Sequence, residues 1–319
     1  MKSRQRVLRK CIFPILLVAG TAGIHNTDAI AAEHGNGVYL MGSKGPMAGV
    51  VPGPGLYFQN DLYYYRASAG ASAPLPMGGK IGVGIKARAL IDVPTLIWST
   101  PHEVLNGQLA FALSQPLGRE SIDADVVIGS RSGDLRGSIT TAGDPLASAM
   151  LGWTSGSFHW NTTAMVNIPV GNYRKGSMAN LSFNHWAVDL SAAGTWFDPS
   201  KGWEVSGVAG VTLNGRNSAT NYRSGRELHL EAAVSKYISP RFSLGVMGYH
   251  YQQISDDRGS GATLGGFRGR TSAFGPTASY TFMVDKKPVS VRLKVLREFN
   301  VKNRLKGTAG FLTVSFPLG

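Results

Sequence analysis

The sequence predicts an all-β protein, a transmembrane antiparallel up-and-down β-barrel of about 12 strands with an N-terminal segment placed to plug it. Three observations carry that expectation. The chain opens with an export signal, period-two segments of strand length follow one another for most of its length, and the turns between them alternate between short and long.

The signal comes first. Lys2, Arg4, Arg6, Arg9 and Lys10 precede an apolar run from Cys11 to Ala22, and small residues follow at Ala29, Ala31 and Ala32. That order of regions assigns residues 1–32 to a cleaved signal peptide. The run is shorter than the ~20 residues a spanning helix needs, and it contains Pro14. Arg9 and Lys10 stand where a lipoprotein anchor at Cys11 would require small apolar residues. Cys11 is the single cysteine, so the exported part owes nothing to disulfides or thiolate-bound metal. Without the signal, 27 basic and 18 acidic residues remain, a net charge of +9 against +13 for the whole chain. These charges form no cluster of the kind that binds nucleic acid, and the excess suits an anionic lipid surface.

Residues 33–53, with Gly45, Pro46, Pro52 and Gly53, read as irregular chain that folds into the barrel mouth as a plug. The barrel is assigned to residues 54–319. Its clearest strands are "KIGVGIKARALIDV", "SIDADVVIG", "HWAVDLSAAGTW", "WEVSGVAGVTLN", "ELHLEAAVSKYI", "RFSLGVMGYHYQQ", "TSAFGPTASYTF", "VSVRLKVLRE" and "GTAGFLTVSF". Further candidates lie at Leu56 to Arg66, Leu105 to Ser114 and Phe158 to Ile168. Short connections at residues 198–202, 239–240 and 284–288 alternate with long ones at residues 171–184, 215–226 and 255–269. That rhythm puts the short turns and the C-terminus on the periplasmic side. Residues 132–152 interrupt it, and "DPLASAMLGW" reads as a short helix, which keeps the strand count even.

Alternation alone does not say which face is wet, because a soluble sandwich shows the same pattern. Aromatics near strand ends (Trp186, Trp196, Trp203, Tyr237, Tyr249 and Tyr251) suit interfacial girdles. The apolar faces carry almost no charge, as a mid-bilayer cost of ~2–4 kcal/mol per charge would require. An unpaired strand edge would also be untenable in lipid, so the sheet must close. On this reading Lys86, Arg88, Asp123, Asp125, Asp189, Glu231, Arg292 and Lys294 face a lumen, mostly as structural ion pairs.

No catalytic chemistry stands out. There is no G-x-S-x-G elbow, no histidine pair with zinc spacing, and no motif that calls for a metal or cofactor. "HLE" at His229 and Glu231 lacks the cysteine partners of a deaminase site, and "GVGIKA" lacks the helix of a dinucleotide fingerprint. The chain therefore does not read as an enzyme.

"TNYRSGRELHLEAAVSKYISPRFSLGVMGYHYQQISDD" and "FRGRTSAFGPTASYTF" resemble the outer-membrane family named for the meta-pathway of phenol degradation. Upstream, "EHGNGVYLMGSKGPMAGVVPGPGLYF", "GDPLASAMLGW", "PVGNY" and "ANLSFNHWAVDLSAAGTWFDPSKGWEVS" fit in the same order, so the resemblance runs from about Glu33 to Pro317. It implies a barrel in the Gram-negative outer membrane that admits hydrophobic or aromatic compounds. Many such barrels end on an aromatic residue read by the barrel assembly machinery, whereas here Phe316 is followed by Pro-Leu-Gly. The expected partners are outer-membrane lipid, that machinery and a small apolar solute. Tyr63, Tyr65, His159, His185 and Tyr222 are the residues expected to touch the solute, because aromatic walls with few polar groups suit such ligands. A barrel that transports nothing, and whose loops bind partners, is the alternative.

Overall fold

The computed structural model describes residues 37–74, 80–128, 131–262, 265–266 and 268–318. The signal assigned to residues 1–32 and the first four residues of the irregular segment lie outside them. Among the described residues every regular element is a strand: β1 (Gly55–Pro74), β2 (Lys80–Val104), β3 (Gly107–Ser114), β4 (Leu117–Ile128), β5 (Arg131–Ala142), β6 (Leu146–Ser155) and β7 (Phe158–Asn167). The series continues with β8 (Ala187–Asp198), β9 (Trp203–Asn214), β10 (Glu227–Ser239), β11 (Phe242–Gln253), β12 (Arg270–Val284), β13 (Lys287–Lys302) and β14 (Lys306–Pro317).

The sheet closes because β1 pairs with β14 on one edge and β2 on the other. Fourteen segments make a barrel of twelve strands. β3 and β4 pair with successive stretches of β2, Thr95–Val104 and Ile81–Asp92, so they form one long strand broken at Gln115 and Pro116. β5 and β6 likewise pair with β4 and β3 and form one strand broken at residues 143–145. Proline cannot donate to a ladder, and Pro116 and Pro145 sit at these two breaks. The expected count of twelve holds, but its composition differs: "SIDADVVIG" continues the strand of β3, and the missing strand is β5 with β6. The predicted helix at "DPLASAMLGW" is instead β6, paired with β7 over its whole length and with β3 over Leu146–Gly152. Its Ala, Leu and Met favour a helix in isolation, and pairing on both edges overrides that preference.

The turns from β2 to β3, β6 to β7, β8 to β9, β10 to β11 and β12 to β13 gather at one end of the barrel with the end of β14. Leu105 and Asn106 turn β2 into β3 with φ of 52° and 56°, and Asp285 with Lys286 turns β12 into β13 at 48° and 67°. Two consecutive positive φ values give the primed two-residue turn whose twist matches paired strands. The long connections lie at the opposite end.

The faces are inverted relative to a water-soluble sheet. In β9, Glu204, Ser206, Thr212 and Asn214 point inward and are buried, while Trp203, Val205 and Leu213 are exposed. In β13, Leu293 and Val295 are exposed between buried Lys294 and Leu296. A sandwich would bury the apolar face between two sheets, whereas here a single closed sheet wears it outside. An apolar belt of this extent on a closed antiparallel barrel is the surface of a membrane-spanning protein.

β2 and β4 depart from that pattern. Ala87 and Ile122 are buried on the inner face, where they pack with Ile139, Ala179 and Leu181. Ala179 and Leu181 belong to the β7–β8 connection, which tucks beneath the β4–β5 hairpin. Lys86, Arg88, Asp123 and Asp125 alternate with this inner face and point outward. Lys86 Nζ lies 3.4 Å from Asp125 Oδ2 with both side chains largely exposed, so these four are not the lumen charges expected. The reason is position. The long-loop half of β2 rises past the apolar belt, so its outer face meets water and its inner face meets protein.

Candidate functional site

Residues 37–54 pass down the inside of the barrel, from the long-loop end of β10 to the short-turn end of β1. Each step is held by an inward polar side chain. Tyr39 stacks on His229 with ring centroids 3.6 Å apart, and its hydroxyl donates to Glu231 Oε1 at 2.9 Å. Burial, reinforced by the Glu231 carboxylate, raises Tyr39 well above its ordinary value and keeps the phenol a donor. Gly42 N donates to the same Glu231 oxygen at 2.8 Å. Lys294, 1% exposed, donates to the carbonyls of Gly42, Ser43 and Lys44 at 2.8–3.0 Å. Lower down, Met47 N donates to Glu204 Oε1 at 2.9 Å and Gly49 N to Thr195 Oγ1 at 2.9 Å. Ser99 Oγ closes the path by donating to Pro52 O at 2.7 Å. Gly42 requires glycine twice over: its φ is +82°, and a Cβ would come within 2.7 Å of Leu296.

Asp189 and Glu231 are thus lumen residues as the alternation predicted. Asp189 accepts from Thr212 Oγ1 at 2.6 Å and lies 2.8 Å from His229 Nε2. Arg292 donates through Nε to Ser279 Oγ at 3.1 Å. The expected ion pairs are not the rule here, because Lys294 is spent on backbone carbonyls of the inner segment and Glu231 Oε1 on Gly42 N and the Tyr39 hydroxyl.

Between that segment and the wall of β1, β2, β3, β6 and β7 lies a cavity of about 330 Å³. Its wall side presents Ile91 and Ile97 from β2, Met150 from β6 and Met165 from β7, with Asp61, Thr95, Ser114, Ser148 and Thr163 interspersed. Tyr63 and Tyr65 stand beside it with centroids 6.1 Å apart, and Tyr63 packs on Phe311 at 4.9 Å. Tyr65 and Tyr249 donate to the two oxygens of Glu298 at 2.8 and 2.9 Å, and Gly307 N donates to Oε2 at 2.6 Å. With three donors on it, that carboxylate fixes the orientation of the two tyrosines.

Of the five residues expected to touch a solute, the structure brings Tyr63 and Tyr65 to the cavity. His159 sits beside the β6–β7 turn, 2.9 Å from Thr154 Oγ1. His185 is buried just before β8, its Nδ1 3.1 Å from Trp186 O, and the cavity is lined by its neighbour Phe183 instead. Tyr222 ties two long connections together through Asp257 at 2.5 Å. Trp186 and Trp203 are exposed as girdle residues should be, but Tyr249 and Tyr251 point inward and are buried. Sequence reasoning missed Ile91, Ile97, Met150 and Met165, because an apolar residue on an apolar strand face gives no sign of pointing inward.

Comparison with known proteins places the molecule. The family described as "Putative MetA-pathway of phenol degradation" matches residues 70–314, more than three quarters of the chain. The chain belongs to that family. No curated protein matches it by sequence. Among solved structures, an outer membrane channel from Pseudomonas putida F1 shares the fold at 20% identity and a TM-score of 0.64, covering 83% of this chain and 96% of its own. A FadL homologue from Pseudomonas aeruginosa aligns at 9% identity and a TM-score of 0.35, over 82% and 88% of the two chains. The translocator domain of the autotransporter NalP from Neisseria meningitidis aligns at 12% and 0.38, over 84% and 90%.

Proposed function

We propose that this protein is an outer-membrane channel for passive uptake of small hydrophobic or aromatic compounds, with residues 37–53 serving as its plug. The observation that carries the reading is the 330 Å³ cavity between the inner segment and a wall whose large side chains are apolar or aromatic. Its size sits at the lower end of ordinary ligand cavities and suits a compound of one aromatic ring. Methionines 150 and 165 give it a polarizable, adaptable lining, and the Tyr63–Tyr65 pair gives it a flat aromatic one. Membership of a family named for phenol degradation supports the same class of solute.

The test is solute entry into liposomes carrying the purified barrel. Toluene or phenol is expected to enter faster than into protein-free liposomes, and Met150→Glu, which puts a charge among the apolar side chains of that wall, is expected to remove most of the gain. Equal entry with and without the barrel would overturn the reading in favour of a surface protein whose long connections bind partners.

A further inference from the structure

The register of β1 against β2 places Arg66 directly opposite Arg88. Both alternate with inward Tyr65, Ala67, Ala87 and Ala89, both point outward, and both are exposed. Directly opposed side chains start about 4.5–5.5 Å apart at Cβ, and like charges at such a pair destabilise a sheet. Neither arginine has a hydrogen bond or ion pair to any described residue. The two are not isolated. One pairing step further from the apolar belt, Ser68 lies between Lys306 of β14 and Lys86 of β2. Arg119 of β4 is exposed on the same outer face, opposite Leu90. Immediately on the belt side come Tyr64, 48% exposed, and Leu90, 50% exposed.

Two arginines without counter-ions, seated on the edge of an apolar belt beside Lys306, Arg119 and a Lys86 paired with Asp125, match one partner: an amphiphile with a phosphate above acyl chains. The geometry points to a lipid-phosphate site on the outer face of β1 and β2, where Arg66 and Arg88 together hold the phosphate of a glycolipid in the outer leaflet. The end of the barrel fixes the leaflet, since the patch lies toward the long connections, away from the β2–β3 and β12–β13 turns and the end of β14. Two guanidinium forks can each present a pair of N–H donors to one phosphate, which removes the repulsion between them and adds charge-assisted hydrogen bonds. Lys306 and Lys86 lie within reach of a second phosphate on the same headgroup, although Lys86 is shared with Asp125. The site does not depend on whether the barrel transports anything.

The test uses the full exported chain in non-ionic detergent, with bound lipid read by native mass spectrometry. Bisphosphorylated lipid A is the probe, against the same lipid with its phosphates removed and against phosphatidylglycerol. The expected result is retention of lipid A at about tenfold lower concentration than either comparison lipid. Arg66→Gln with Arg88→Gln should abolish that preference, whereas Arg241→Gln with Lys286→Gln, exposed at the short-turn end, should leave it intact. Single Arg→Lys changes keep the charge but lose the fork, so they should weaken retention partially and serve if the double variant does not fold. Equal retention of lipid A with and without phosphate, equal retention of phosphatidylglycerol, or a double variant indistinguishable from the native protein would each overturn the site.

Discussion

The two halves of the barrel wall put their inner faces to different uses. From β9 to β13 the inward face sets long polar side chains around an apolar cluster of Ala233, Met247, Ala273 and Leu296, and several of the polar ones are spent on a peptide: Glu231, Lys294 and Glu204 all bond the inner segment. From β1 through β3, β6 and β7 the inward residues alternate apolar and aromatic side chains with short polar ones such as Thr95, Ser114, Ser148 and Thr163, and they face a cavity. The difference teaches that a polar lumen face is not by itself a water-filled channel. Here one half of the lumen grips its own chain, and the other half borders a cavity whose bulk comes from Tyr63, Tyr65, Ile91, Ile97, Met150 and Met165. The two halves can be separated experimentally.

The largest effect should come from removing residues 37–52. The pairing of β1 with β14 and β2 starts at residues 55–57 and does not involve that segment, so the barrel should still close and still shift in gel mobility on heating. Single-channel conductance should rise several-fold. An unchanged conductance would mean that the segment does not limit the path.

Lys294→Met comes next. It deletes three charge-assisted hydrogen bonds and leaves three inner carbonyls short of donors, a loss of about 4 kcal/mol. Urea unfolding from lipid vesicles should show it, together with faster proteolysis within residues 37–52. Thr212→Val is smaller. It removes one donor from Asp189 while His229 keeps the other, so about 2 kcal/mol is expected and the cavity should be untouched. If Thr212→Val altered solute entry as strongly as Met150→Glu, the division of the lumen into two independent halves would be wrong.

How much of this was legible depended on where along a strand a residue sits. β13 read correctly because both of its sides are typical of a membrane barrel, with Leu293 52% exposed and Lys294 1% exposed. β2 read backwards at Lys86 and Arg88, because period-two alternation reports two faces and carries no label for inside and outside. Height above the belt supplies that label, and height comes from register and from the breaks at Pro116 and Pro145, which are tertiary facts. The aromatic pair Tyr249 and Tyr251 misled for a related reason, since a tyrosine suits a girdle and a buried hydrogen bond to Glu298 equally well. The cavity was least legible. Met150 and Met165 lie on strands whose two faces are both mildly apolar, so their direction is set by pairing with β3, β7 and β8 and by nothing local.

The smallest predicted effect discriminates most cleanly between the two placements of β2. If Asp125 faced a closed lumen beside Lys86, removing its charge would strand a buried ammonium, and a loss of about 3–5 kcal/mol would follow. On the outer face, 3.4 Å from Lys86 with both side chains about half exposed or more, the pair is screened by water and held by flexible side chains. Asp125→Asn should therefore change unfolding stability by less than about 0.5 kcal/mol, and the change should fade further in high salt. The same substitution frees Lys86 from its carboxylate, so it should leave lipid A retention unchanged or increase it. A loss of several kcal/mol would return these charges to the lumen and turn the upper half of β2 around.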